Sequence, residues 1–292
     1  MSRKAPLTRS GITEWAATLA RARRDRVGCE PITSSVDLTI DDAYAIQRAG
    51  TAIRLERGEK VIGWKLGYTS LAMRAQMGID QPNFGPLTDA MLVADHGAAG
   101  AALMQPRVEP EIGLRFHRSV SADANLDEVL SAVGAAFACL EIVDSVYPNY
   151  QFRLEDNTAD GSSAAQVVVG PALTSIEHLD DITVVLLHNG VESGSATGRA
   201  ASGHPAAGVV WLVRQLALQG RTIEADQIVI TGGLTRAVPL DFGDRVEALF
   251  DDHTQVSVYR PPRAPSASDE ADSAKAGCDI NSVAGGLCRS HE

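Results

Sequence analysis

Residues 106–116 read PRVEPEIGLRF, and the folding of this stretch decides how the rest of the chain is read. Glu109 and Glu111 stand two apart, followed by Ile112, Leu114 and Phe116. A strand turns successive side chains to opposite faces, so residues i and i+2 share one. As a strand, PRVEPEIGLRF therefore aims two carboxylates the same way at close range. Like charges that close raise each other's pKa, so the pair needs a partner. A solvated strand face is the alternative.

A third acid sits in FACLEIVDS, where Glu141 is flanked by Leu140, Ile142 and Val143. Burying a charge in such a run is costly unless it is paired. Arg107 and Arg115 are the simplest candidate partners. Three carboxylates with so few bases nearby favour a divalent cation, and oxygen-only ligands point to Mg²⁺ or Mn²⁺ rather than zinc. Lys65, in GWKLGYTS, lies in a short apolar run between glycines. Buried, it would hold an anionic substrate or shuttle a proton; on the surface it would merely snorkel. The run EDNTADGSSAAQVVVG (155–170) gathers acids, amides and hydroxyls before a strand, as pocket loops and plain turns both do. His204, in GHP, is either a base or a helix-entry residue.

Composition sets the bounds. The chain has 292 residues, 45% hydrophobic and 22% charged, enough for a sizeable core. A formal net charge of −11 without a basic cluster argues against nucleic acid as partner. An anionic substrate would then need a local cation, a bound ion or a placed Lys or Arg. Cys29, Cys139, Cys278 and Cys288 fit no zinc spacing and no disulfide framework. MSRKAPLTRSG lacks the apolar segment of a secretory signal, and no apolar run approaches the ~20 residues that cross a bilayer. A soluble, cytoplasmic protein with no membrane partner is expected.

Along the chain, residues 1–60 form a helical N-terminal arm. TEWAATLARARRDRVG is closed by Gly28, and TIDDAYAIQRAGTAIRLERGE has acids first and Arg last, as a helix dipole prefers. VIGWKLG is a short strand and TSLAMRAQMG a capped helix. Residues 61–260 form a β-rich core. Its strands include VEPEIGLRF, CLEIV, AAQVVVG, TVVLLH, QIVITGG, RVEALF and QVSVY, with an Asn189–Gly190 hairpin turn. LDEVLSAVGAAFA reads as a helix. GHPAAGVVWLVRQLALQG is another, with Pro205 in its first turn and Gly220 at its end. Residues 261–292, rich in Pro, Ser, Ala and charge, read as a disordered tail. The fold class is α+β.

GWKLGYTS, MGIDQPNFGPLTDAM, QPRVEPEIGLRF, CLEIVDSVYPNYQF, DNTADGSSAAQVVVG, GHPAAGVVWLV and ITGGLTRAVPLDFGD follow one another in this chain. In that order, from about Leu38 to Tyr259, they resemble the 2-keto-4-pentenoate hydratase / 4-oxalocrotonate decarboxylase family of the fumarylacetoacetate-hydrolase-like superfamily. The resemblance implies a mixed β-roll core with a helical N-terminal part and a homo-oligomeric lyase of aromatic catabolism acting on small anionic 2-oxo acids. It implies that Glu109, Glu111 and Glu141 hold the metal, that Lys65 is the active-site lysine, and that Ser162 or Ser163 is a pocket serine.

The wording is nearer the decarboxylases. PNFG carries Asn83 where hydratases resemble PDFG or PDYG, which removes a candidate general base. DSVYPNYQF and ITGGLTRAVPL also resemble the decarboxylase forms, although Val146 replaces an arginine. Gly161 replaces the usual Asn of ADN, and TGRAASGHP departs from the common GAGAAVLGHP. The expected activity is decarboxylation of a 2-oxo-3-hexenedioate-type diacid. The alternatives are hydration of 2-hydroxypenta-2,4-dienoate, or a weakly active partner subunit in a hydratase–decarboxylase complex; the intact set of acids and Lys65 argues against the last.

Overall fold

The computed structural model describes residues 5–70, 74–75, 79–251 and 253–263. The helix expected over TSLAMRAQMG and the tail expected from 261 onward fall largely outside these residues.

Two helices open the chain, α1 (Arg9–Asp25) and α2 (Ile40–Glu56). Thr8 caps α1 by accepting from the Gly11 N–H, and Thr39 and Asp42 cap α2 reciprocally. Gly28 does not close α1 as expected. Arg26 does, in the left-handed conformation (φ 57°), with its N–H on the Ala22 carbonyl. Ala16 and Leu19 of α1 and Ile46 of α2 bury their apolar faces against Val146, Tyr147 and Ala159.

The strands are β1 (Val61–Gly67), β2 (Asn83–Thr88) and β3 (Arg107–Phe116). Helix α3 (Leu126–Ala132) leads into β4 (Val133–Val143), and α4 (Leu154–Ala159) into β5 (Ala164–Ala172). The hairpin β6 (Thr183–His188) and β7 (Val191–Thr197) turns at Asn189–Gly190 as expected. Then come α5 (Ala207–Leu218), β8 (Ile228–Ile230), β9 (Arg245–Phe250) and β10 (Thr254–Tyr259).

Two expectations shift. The helix expected over LDEVLSAVGAAFA stops at Ala132, and VGAAFA is strand. Alanine favours helix, but β4 pairs with β3 along one edge and β5 along the other, and that tertiary pairing overrides propensity. Pro205 stands just ahead of α5 rather than in its first turn.

The larger sheet runs β2-β1-β8-β3-β4-β5, with the short strand Leu92–Val93 beyond β5. β8 lies parallel to β1 and antiparallel to β3, so the sheet is mixed. A second sheet runs β7-β6-β9-β10 and ends on Gly97–Ala98. On β3 the even-numbered Val108, Ile112, Leu114 and Phe116 are all 0% exposed and belong to the main core. Each contributes roughly 1.5–3 kcal/mol by burial. The odd-numbered face therefore carries Arg107, Glu109, Glu111 and Arg115. Three strand spacings separate β1 from β4, about 14 Å in a flat sheet. Side chains from these two strands nevertheless meet, so the sheet curls into a trough with that polar face inside.

Candidate active site

Register builds the site. Glu109 of β3 lies directly opposite Glu141 of β4, and Glu111 follows one pleat along, opposite Cys139. One carboxylate oxygen from each of the three glutamates lies within 4.8 Å of the others. Lys65 reaches across the trough from β1 and places its ammonium 2.9 Å from Glu141 Oε2. The base facing Glu141 is thus neither Arg107 nor Arg115. Arg107 stacks over the Tyr150 ring and Arg115 over the Phe137 ring.

These acids are buried without enough donors. Glu111 and Glu141 are 0% exposed. Glu111 Oε2 accepts the Gly232 N–H at 2.7 Å, but its Oε1 has no hydrogen-bond partner. Glu141 Oε1 has no hydrogen-bond partner, and its Oε2 is met by the Lys65 ammonium at 2.9 Å, which also donates to the Ser162 carbonyl (3.1 Å) and Oγ (3.3 Å). Burial, then repulsion from Glu141, pushes Glu109 up to about 7. Burial, Glu141 and Glu109 hold Glu111 well above the usual carboxylate range. Burial alone would lower Lys65, yet Glu141, Glu109 and Glu111 together keep it raised, so it stays an ammonium. Clustered hard oxygens, several of them orphaned, fit a divalent cation of the Mg²⁺ type.

Two glycines of ITGG complete the cradle, and the sequence reading missed both. Gly232 (φ 99°) presents its N–H to Glu111. Any side chain at Gly233 would drive its first carbon into Glu109 Oε2. A Gly–Gly pair directly after a buried strand is the signal that a backbone approaches something closely.

The expected serines divide. Ser162 meets Lys65, whereas Ser163 Oγ accepts from Asn157 Nδ2 at 2.9 Å. Gly161, Ser162 and Ser163 all take positive φ (72°, 58° and 55°), a strained run for the two serines at the wall of the site. The stretch read as a pocket loop or turn is partly helix: α4 ends at Ala159, and this left-handed turn follows.

Asn83 is buried and fully engaged. Its Oδ1 accepts from Ser162 Oγ at 2.9 Å, and its Nδ2 donates to Asn157 Oδ1 (2.9 Å) and Thr158 Oγ1 (3.0 Å). It anchors Ser162, and its neutral amide is no general base. Val146 is 0% exposed in the apolar cluster under the N-terminal helices, so the side chain that replaces the expected arginine packs there. His204 accepts the Ala206 N–H on Nδ1 at the entry to α5 and does not line the pocket, which leaves it the helix-entry role.

A cavity of about 210 Å³ opens over the cradle, bounded by Lys65, Tyr68, Arg107, Glu109, Tyr150 and Ser162 among others. A larger cavity of about 300 Å³ lies between α1 and α2, rimmed by Arg23, Arg54 and Arg57, and contains none of the three glutamates. Gly161 lines that second cavity, not the first. Glu109 and Lys65, which both line the smaller one, place the chemistry there.

Residues 60–258 match the family described as fumarylacetoacetate (FAA) hydrolase C-terminal. The chain is 32% identical to the 4-oxalocrotonate decarboxylase of Pseudomonas sp. (strain CF600), over 86% of this chain and 97% of that one. It is 34% identical to 2-keto-4-pentenoate hydratase 1 of Dechloromonas aromatica (strain RCB), over 84% and 95%. Among solved structures, 4-oxalocrotonate decarboxylase from Pseudomonas putida G7, complexed with magnesium and adipate, superposes with a TM-score of 0.83 at 30% identity, covering 88% of this chain and all of that one. A second structure of that enzyme is complexed with calcium and acetate, and superposes with a TM-score of 0.81. No helix among the described residues is long and apolar enough to cross a membrane. The chain belongs to the fumarylacetoacetate hydrolase family and, like these decarboxylases and hydratases, is a lyase.

Proposed function

We propose that this protein decarboxylates a 2-oxo-enoic diacid of the 2-oxo-3-hexenedioate type to 2-hydroxypenta-2,4-dienoate. The observation that carries this reading is the cradle of three clustered carboxylates, two of them with unpartnered oxygens, facing a charged, buried Lys65. A divalent cation held by Glu109, Glu111 and Glu141 would supply Lewis acidity to the keto and carboxylate oxygens of a 2-oxo acid.

The rest falls to the chain's own groups. In the diacid the far carboxylate is vinylogous to the ketone. Its C–C bond breaks, the electron pair shifts through the conjugated chain onto the keto oxygen, and CO₂ leaves. The resulting dienolate takes one proton on oxygen, and the Lys65 ammonium would give it. Ser162, held by Asn83, fixes the ammonium's position. Tyr68 and Tyr150 line the same cavity and offer it apolar ring surface.

Asn83 supports decarboxylation over hydration, because hydration needs a base for water and every polar atom of that side chain is already engaged. Hydration of 2-hydroxypenta-2,4-dienoate stands second, favoured by similarity to hydratases at the same level of identity. The test is incubation with each substrate, with Mg²⁺ and with chelator. CO₂ release from the diacid that chelator stops supports the proposal; fast hydration of the dienoate without CO₂ release from the diacid reverses the order.

A further inference from the structure

Charge balance in the pocket leaves one question open. Three glutamates, a divalent cation and the Lys65 ammonium would cancel. The cation would ligate the carboxylate of the 2-oxo acid end, but the far carboxylate of a diacid has no partner in the cradle. Among the described residues lining this cavity, one other side chain is cationic, and it is Arg107.

Arg107 stands two residues before Glu109 on β3, so it continues the same face of the strand. Its Cα lies about 7 Å from that of Glu109, at ~3.3 Å of rise per residue. It is exposed at the mouth of the cavity and forms no ion pair with any described residue, whereas Lys65 is committed to Glu141. Its guanidinium carbon sits 4.4 Å from the centroid of Tyr150. Stacking of this kind leaves the N–H edge of the guanidinium free for a planar carboxylate. The platform is fixed: the Tyr150 hydroxyl lies 3.0 Å from both the Gln105 and Val143 carbonyls, and Asn149 and Tyr150 both hold left-handed backbone (φ 56° and 57°). A six-carbon diacid spans about 5 Å from its keto carbon to its far carboxyl carbon, four bonds of ~1.5 Å in zigzag.

We propose that Arg107, oriented by Tyr150, is the specificity residue that receives the far carboxylate of a diacid. The proposal rests on the reading above of the pocket as a 2-oxo acid site, and it identifies the device that separates diacids from monoacids.

The test compares two unreactive, saturated ligands, 2-oxoadipate and 2-oxohexanoate, by titration calorimetry on the Mg²⁺-loaded protein. These share the 2-oxo acid end and differ in the far carboxylate. The wild type is expected to bind 2-oxoadipate about tenfold tighter or more, the scale of one charge-assisted hydrogen-bond pair at a partly exposed site. R107Q is expected to bring the ratio close to one while leaving 2-oxohexanoate and Mg²⁺ affinities unchanged, and R107K to restore part of it. A wild-type ratio near one, a ratio that survives in R107Q, or loss of both ligands in R107Q overturns the proposal. Mg²⁺ uptake with normal 2-oxohexanoate binding but no diacid preference removes Arg107 alone. Failure of the wild type to take up Mg²⁺ removes the cradle reading and the proposal with it.

Discussion

Two groups of buried acids lie in the same chain, and they are furnished in opposite ways. Asp144 and Asp156 are 1% and 0% exposed. Asp156 accepts from the Thr33 N–H (2.8 Å), the Thr33 hydroxyl (2.6 Å) and the Arg153 N–H (3.0 Å). Asp144 accepts from the Met104 and Gln105 N–H groups at 2.9 and 2.7 Å. Nearby Asp160 holds Arg23 at 2.7 Å. Glu111 and Glu141, equally deep, share one backbone donor and one ammonium between them. Burial of an acid is therefore not what marks a site in this protein. The shortage of donors around it is.

The sharpest way to break the contrast is to exchange one carboxylate in each group. Glu111→Gln should cut Mg²⁺ affinity and CO₂ release by more than about a hundredfold, beyond the usual cost of losing an outer-shell partner. Its fold should stay intact, and its melting temperature without metal equal or higher, since a repelling charge is gone. Activity with normal metal dependence would refute the cradle. Asp156→Asn should do the reverse. It weakens charge-assisted bonds worth about 1.5–3 kcal/mol each, so the melting temperature should fall by roughly 5–10 °C, with Mg²⁺ affinity unchanged. Loss of metal binding there would erase the distinction.

Smaller effects test the cradle's edges. Gly233→Ala pushes on Glu109 and should lower Mg²⁺ affinity by about tenfold at constant fold; an unchanged titration would show that Glu109 has room to move. The pH dependence has a definite sign. Glu109 titrates near 7 in the fold, above its ordinary 4.5. Between those values the folded, metal-free protein holds a proton that the unfolded chain has released, so stability falls as pH rises through that window. Metal binding needs the acids deprotonated. The gain in melting temperature on adding Mg²⁺ should therefore be larger at pH 8 than at pH 6, and equal gains would contradict the assignment.

The acids were legible in the sequence because a strand's period is fixed. Glu109 and Glu111 two apart, and Glu141 inside an apolar run, need no tertiary information to be singled out. Lys65 was legible as a buried cation, but not its partner, because reach across a curled sheet depends on how far the sheet curls. Arg107 was read as a counter-ion and is instead a stacked, unpaired cation, since nothing local reveals that Tyr150 lies beneath it. Asn83 was read as unable to act as a base, but its engagement with Ser162, Asn157 and Thr158 was not legible, because it depends on contacts about 75 residues or more away in sequence. The β-start at Val133 was missed because an alanine-rich strand between two neighbours has no local signature that separates it from a helix.

The alternation along β3 also has a consequence for how the protein reaches its native state. Apolar and acidic residues occupy opposite faces of β3, and β4 answers each one in register. A slip of one residue would turn Glu109 and Glu111 into the main core and Ile112 and Leu114 into the trough. Such a register would forfeit the apolar burial of that face, so it is disfavoured before any ligand arrives. Collapse of the apolar face works as a proofreading step, and a correctly spaced set of acids is its by-product.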